Sequence, residues 1–373
     1  MTLAAFIDRS RKDKEDWKYT DLNALLFSSF PRKRESIASD SEHKSQLPSN
    51  YSDCSADNRA RLVFLNGVWQ PTLSHFATVP SCILMGDLES GYELTLGEQT
   101  CLVAQPIELV FVTDNDAPHE IDLKFFIDIG ANGRLTLLEN HRASNAITTI
   151  ETDISLRPHA KFVHGKIVQG GAHLATAKAH VATGGYYNNF SLLRGGMPIR
   201  NEIDVILEGE EAQAALNGVM LLRRAEHADT TTHLLHQAPQ CASRQVYKTV
   251  LDGKSRGVFQ GEITVAPDAQ KSDGYQLSRA LLLSDQAEMD AKPQLEIFAD
   301  DVKCSHGSAI GCLDEDALFY LRSRGLDEAS ARALLIKAFV TETLEEIQIE
   351  EWRVLFRREI ETWTDAQTAR EKK

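Results

Sequence analysis

The chain has 373 residues, 42% of them hydrophobic and 25% charged, and a formal net charge of -14. That length buries a large core and divides into two or three domains on size alone, while the acidic balance excludes a nucleic-acid partner, which needs clustered Lys and Arg. No apolar run reaches the roughly 20 residues that cross a bilayer, the start MTLAAFIDRSRKDKEDW is not a secretory signal, and the six scattered cysteines Cys54, Cys82, Cys101, Cys241, Cys304 and Cys312 read as reduced cytoplasmic thiols rather than a disulfide frame.

Residues 1–58 read as an N-terminal helical segment followed by a flexible linker. In EDWKYTDLNALLF, Leu22, Leu25 and Leu26 recur at helical spacing. Pro31–Asn58 is rich in Ser, Asp, Lys and Arg and poor in apolar residues, which suits a mobile linker, and its PRKR run reads as a solvated loop.

Residues 59–311 read as a β-core. Strand-length runs rich in Val, Ile, Phe and Thr appear, among them RLVFLNGVW, IELVFVT, LKFFIDIG, KFVHGKIV, QVYKTVL and GVFQGEITV. Polar turns separate them at Gly130, Arg157, Gly209, Arg224, Asp252, Ala266 and Ser284. From Glu211 onward they recur roughly every 13–18 residues, as in repetitive β-structure. Within this region only Ala172–Val181 carries helical character. A sandwich, a barrel and a solenoid all accommodate such a region. The solenoid explains the turn spacing best, because each rung hides its inward side chains only by stacking on neighbours.

Residues 312–373 read as a C-terminal helical domain. In DEDALFYLRSRG, Asp314 is placed to cap a helix and Gly325 to end it. LDEASARALLIKAFVTETLEEI sets Leu334, Leu335, Ala338, Phe339 and Leu344 near one face of a second helix, and a third is expected over Glu350–Trp363.

No H-E-x-x-H, C-x-x-C or G-x-G-x-x-G is present. The DGKS stretch at Asp252–Ser255 contains half of a phosphate-binding loop, but Lys248 stands where the upstream Gly is needed, so it reads as a turn between strands. Soft and borderline donors cluster late, with Cys304, His306 and Cys312 in a C-x-H-x5-C pattern. Thiolate and imidazole suit zinc, copper or an iron–sulfur species better than magnesium or calcium. Against this, a Cys in a β-body is commonly a small buried hydrophobe, and no oxyanion motif supports a Cys–His nucleophile. A second patch holds His227, His233, His236 and Cys241. Asp300 and Asp301 either attract cations or keep a strand edge from pairing, the commoner role. Two alternatives stay open: a metal-dependent hydrolase or isomerase using Cys304, His306 and the His227–Cys241 patch, and a purely structural solenoid with an inert Cys304.

PQLEIFADDVKCSHGSAIG followed by LDEDALFYLRSRGLDEASARALLIKAF resembles the C-terminal core of the SufB/SufD family of iron–sulfur cluster assembly proteins. EDWKYTDL resembles the family's N-terminal segment, and YKTVLDGKSRGVFQGEITVAPDAQKSDGYQLSRALLL its β-core. The likeness runs from Glu15 onward and is weakest over Pro31–Asn58; little precedes the WKYT segment, where the family carries an additional helix. The CSHG segment matches the SufD branch rather than the SufB branch. The resemblance implies a right-handed parallel β-helix flanked by helical segments, acting as a scaffold without ATPase activity. It implies pairing with a SufB-like paralogue and binding of a SufC-like ABC-type ATPase through residues 312–373. By the same resemblance Cys304 and His306 lie at the interface where a nascent cluster forms, as ligands of its iron, with Cys312 structural. The implied cofactor is a transient cluster shared with the partner, with reduced flavin associated with the full complex and no group tightly held by the chain alone. A homodimer of the isolated chain through an uncapped β-edge is left open.

Overall fold

The computed structural model describes residues 2–12, 15–22, 60–74, 83–88, 91–96, 106–113, 119–143, 146–196 and 198–371. The expected linker Pro31–Asn58, Leu25, Leu26, Cys54, Cys82 and Cys101 lie outside them.

Short strands separated by turns build two sheets. The first orders Lys303–Cys312, Asp273–Leu282, Ala242–Leu251, Gln213–Leu222, Tyr186–Arg194, Lys161–Gln169, Arg134–Arg142, Ile107–Val112, Ala60–Leu65 and Val68–Trp69. The second orders Glu288–Ile297, Arg256–Val265, His227–His236, Ile199–Leu207, Ala172–Val181, Ala146–Leu156, His119–Ile129, Gly91–Leu96 and Ile83–Leu88. The chain alternates between them, so each strand pairs in parallel with the strand after next. Among the described residues, antiparallel pairs occur only at the N-terminal end, between Ala60–Leu65 and Val68–Trp69 and between Ile83–Leu88 and Gly91–Leu96. The result is a mainly β solenoid whose rungs each lay one strand in each sheet. In-register residues Gln213, Ala242, Asp273 and Lys303 stand 29, 31 and 30 positions apart, so the turn spacing in the sequence marks half-rungs.

One edge of the solenoid is a stack of turns. Asn132, His159, Gly184, Glu211, Gln240 and Lys271 occupy the same turn position with φ between +58° and +61°. Left-handed backbone costs a non-glycine residue about 1–2 kcal/mol. Here each such residue donates its N–H to a carbonyl one rung on: His159 to Thr183 at 2.8 Å, Glu211 to Pro239 at 3.3 Å, Gln240 to Gln270 at 2.9 Å and Lys271 to Asp301 at 2.5 Å. The DGKS stretch is a turn on the opposite edge: Gly253 has φ +67° and the Lys254 N–H meets the Arg224 carbonyl at 2.5 Å.

Ala172–Val181 is a strand, not a helix. Register places Ala175 and Ala179 between Ile150 and Ile154 on one side and Asn201 and Val205 on the other. Large neighbours leave space for small inward side chains there, and pairing on both sides overrides the helix propensity of Ala.

Terminal segments cover the two outer faces. On the N-terminal side, helix α1 (Leu3–Lys12) and the turns at 15–19 bury Leu3, Phe6, Trp17 and Leu22 against Ala172 and Leu174 of the second sheet. On the other face, α2 (Glu315–Ser323), α3 (Glu328–Thr341), a 3-10 turn (Glu342–Glu346) and α4 (Glu350–Glu371) cover the first sheet. Asp314 caps α2 by accepting from the Asp316 and Ala317 N–H groups, and Gly325 follows it at φ +98°. Ile336, Val340, Leu344, Trp352, Phe356 and Ile360 form one core with Leu138, Phe190, Leu192, Val219 and Val250. The face expected for α3 is therefore rotated: Leu344 is buried and Leu335 and Phe339 are half-buried, but Leu334 and Ala338 face outward, because Ile336 and Val340 make the contact with α4 and the sheet. None of the described helices is long and apolar enough to cross a membrane.

Candidate functional site

The last rung, Glu288–Ile297 with Lys303–Cys312, has no successor among the described residues, so it forms the open end of the solenoid. Middle strands are almost wholly buried, whereas most of Lys303–Cys312 is exposed. Cys304 pairs in register with Gly274 and His306 with Gln276. Two residues apart on a strand, their side chains leave the same face roughly 7 Å apart. Cys304 is half-buried against the core, with Gly274 leaving room for its sulfur, and His306 is exposed. Burial raises the Cys304 thiol, helped by the charge of Asp273 and opposed by the backbone of Gly274. A deprotonated, ligating sulfur here therefore gains from a nearby cation.

Cys312 shares that face but lies eight residues on, roughly 26 Å along the strand. Its thiol is exposed, and among the described residues no further strand covers it. Asp300 and Asp301 sit in the last turn, where Asp301 N–H donates to Gln270 Oε1 at 2.9 Å. Ile297, Phe298 and Ile310 add exposed apolar surface to the open end.

The His227–Cys241 patch does not assemble. His227 sits on the outer face of the second sheet, its Nε2 3.1 Å from Thr20 Oγ1, and burial lowers its pKa to about 4. His236 lies at the far end of the same strand, Nε2 2.8 Å from Ser243 Oγ, also lowered to about 4 by burial. The buried Cys241 donates its thiol to the Gly209 carbonyl at 3.3 Å, and burial raises it. His233 instead meets Glu202 and Asp204. Among the described residues these three are the only group of three or more His, Cys, Asp or Glu whose donor atoms, one from each residue, all lie within 4.8 Å of one another.

The inward face of the first sheet carries polar groups that single-residue motifs did not reveal. Glu139 accepts from His164 and His141, each at 2.8 Å; burial acts to raise its carboxyl, but Lys166 and the two histidines outweigh it and hold it well below the usual carboxylate range. Lys166 reaches Asn201 of the second sheet at 3.4 Å, and Thr232 reaches Gln245 at 2.7 Å. Gln276 is buried directly beneath His306 with neither amide atom hydrogen-bonded. The signal for this row is Gln245, Gln276 and His306 at successive rung spacings.

Residues 111–339 match the family model "SUF system FeS cluster assembly, SufBD core domain". The chain is 30% identical to the iron-sulfur cluster assembly protein SufD of Escherichia coli, with 90% of this chain and 85% of that protein covered. It is 28% identical to an iron-sulfur cluster assembly SufBD family protein of Synechocystis, covering 91% and 84%, and 29% identical to the chloroplastic protein ABCI7 of Arabidopsis thaliana over 68% of this chain and 56% of that protein. A solenoid with an open, thiol- and imidazole-bearing last rung, carried on a sequence with these matches, belongs to the SufBD family of SUF-system iron–sulfur cluster assembly proteins.

Proposed function

We propose that the chain is the non-ATPase scaffold subunit of a Suf complex, pairing through its last rung with a SufB-like paralogue and holding a SufC-like ABC-type ATPase on residues 312–373. The observation that carries this reading is the open edge of Lys303–Cys312, with His306 exposed and Cys304 half-buried beside it. An unpaired strand offers its backbone to a partner strand. A cluster needs about four thiolates or equivalent donors; this edge offers one thiol and one imidazole at close range, and the partner supplies the rest. The iron–sulfur cluster is then cargo, held by a divided ligand set that releases it to a recipient. Reduced flavin would serve the assembled complex rather than this chain.

Helical residues support the second docking surface. Phe319 is 74% exposed, Tyr320 56% and Leu334 47%. Behind them the buried Lys248 donates to the Phe339 carbonyl at 2.6 Å and pairs with Glu342, tying the helices to the first sheet. Movement of a bound ATPase would pass through this joint as a rigid-body shift.

The test is co-expression with a SufB-like and a SufC-like partner. A ternary complex should form, and Cys304→Ser with His306→Ala should leave it intact while lowering cluster yield. Absence of a complex, or wild-type cluster yield from the double variant, sinks the reading. With the partners left out, gel filtration shows whether the same edge pairs two copies of the chain.

A further inference from the structure

The outer face of the second sheet holds a second candidate site, unrelated to the open rung. Glu202 and Asp204 alternate on one strand, and His233 is the register partner of Asp204 on the next, so all three project from the same face. Their donor atoms lie within 4.8 Å of one another. His233 Nδ1 stands 2.8 Å from Asp204 Oδ1, and both side chains keep partial access to solvent. Glu202 is fully buried: Arg9 of α1 binds Oε1 at 2.6 Å, but Oε2 has no hydrogen bond, the Arg200 Nε being 3.8 Å away. A buried carboxylate oxygen without a donor is costly unless something fills its lone pairs.

Charge points the same way. Around the site Asp16, Glu202, Asp204 and Asp229 stand against the guanidiniums of Arg9 and Arg200, and Arg200 is already engaged with Asp229 at 2.6 Å. The register neighbours Lys178 and Glu262 cancel each other. Two carboxylates and one imidazole are hard to borderline donors without a thiolate, a set that suits first-row divalent ions better than copper(I) or calcium.

We infer that Glu202, Asp204 and His233 bind one divalent cation of the manganese(II), iron(II) or zinc(II) class at the seam between α1 and the solenoid. The ion takes the place of the proton shared by His233 and Asp204, completes the vacant side of Glu202, and leaves Arg9 on the other carboxylate oxygen. Bound there, it ties the N-terminal helix to the second sheet.

Equilibrium dialysis of the full chain against manganese(II) alone, with electron paramagnetic resonance reporting the free ion, tests this. One ion per chain should be retained and displaced by zinc(II), as the Irving–Williams order requires. Glu202→Gln and His233→Ala should each weaken binding at least about tenfold, while Cys304→Ser with His306→Ala should leave it unchanged. Should Glu202→Gln fail to fold, the half-exposed Asp204→Asn carries the same expectation. No retained manganese, or retention abolished by the Cys304 and His306 changes but untouched by Asp204→Asn, overturns the assignment.

Discussion

The rung built from Gln213–Leu222 and His227–His236 and the rung built from Glu288–Ile297 and Lys303–Cys312 use strands of the same length, ten residues each. Nearly every side chain of the first is buried; hardly any of the second is fully so. Composition does not cause the contrast, since Ile297, Phe298 and Ile310 are as apolar as their counterparts. A middle rung is closed above and below by parallel neighbours and on its outer faces by terminal helices. The last has a neighbour on one side only. In a stacked fold, burial is a property of position in the stack more than of the strand itself.

Substitutions at the two places should separate them sharply. Phe259→Ala, fully buried in the interior, should cost about 3–5 kcal/mol in urea-induced unfolding. Acid comes next. His227 and His236 stay neutral in the fold down to about pH 4, whereas unfolded histidine protonates near 6.5. Between those values the unfolded chain binds more protons, so stability falls as pH drops, by up to about 1.4 kcal/mol per unit for each histidine. His141 and His173, lowered by burial, act in the same direction. His233 opposes them: burial disfavours its protonation, but the hydrogen bond and charge of Asp204 outweigh that and raise it. Melting temperatures at pH 7.5 and 5 should therefore differ by many degrees, and a flat profile would mean these imidazoles are wetter than described.

Smaller in effect, Asp229→Asn removes the charge facing the buried Arg200, which stacks 4.1 Å over Trp17, and should cost about 1.5–3 kcal/mol. Ile310→Ala, on the open rung, should change the unfolding free energy by less than about 0.5 kcal/mol. If Ile310→Ala proves as damaging as Phe259→Ala, the last rung is closed by something within the chain and the contrast disappears.

Much of the fold was legible in the residues. Turns at Gly130, Arg157, Gly209, Asp252 and Ala266 lie where polar clusters interrupt apolar runs, and Asp314 and Gly325 bound their helix as their chemistry dictates. Errors arose where long-range register decides. Ala172–Val181 looks helical until Ile150 and Val205 are placed beside it, and the outward face of α3 depends on where Trp352 and Phe356 reach it. The pair Cys304 and His306 was visible because its members are two residues apart. Glu202, Asp204 and His233 were invisible as a group, since Asp204 and His233 meet only once the chain has completed a rung of 29 residues. His227, His236 and Cys241 looked like a cluster because they are close in sequence, but the strand sets His227 and His236 at opposite ends, and His236 meets the backbone of Cys241 rather than its thiol.

The turn stack along one edge makes length a quantised property of this chain. Each left-handed residue, from Asn132 to Lys271, must arrive in step with the carbonyl of the following coil. One extra residue inside a strand turns that strand's inward set outward and throws the staircase out of phase. Removing a full repeat keeps every tread aligned. Gains and losses of whole coils are thus the changes this architecture tolerates, while the Cys304 thiol and His306 imidazole travel with the final one.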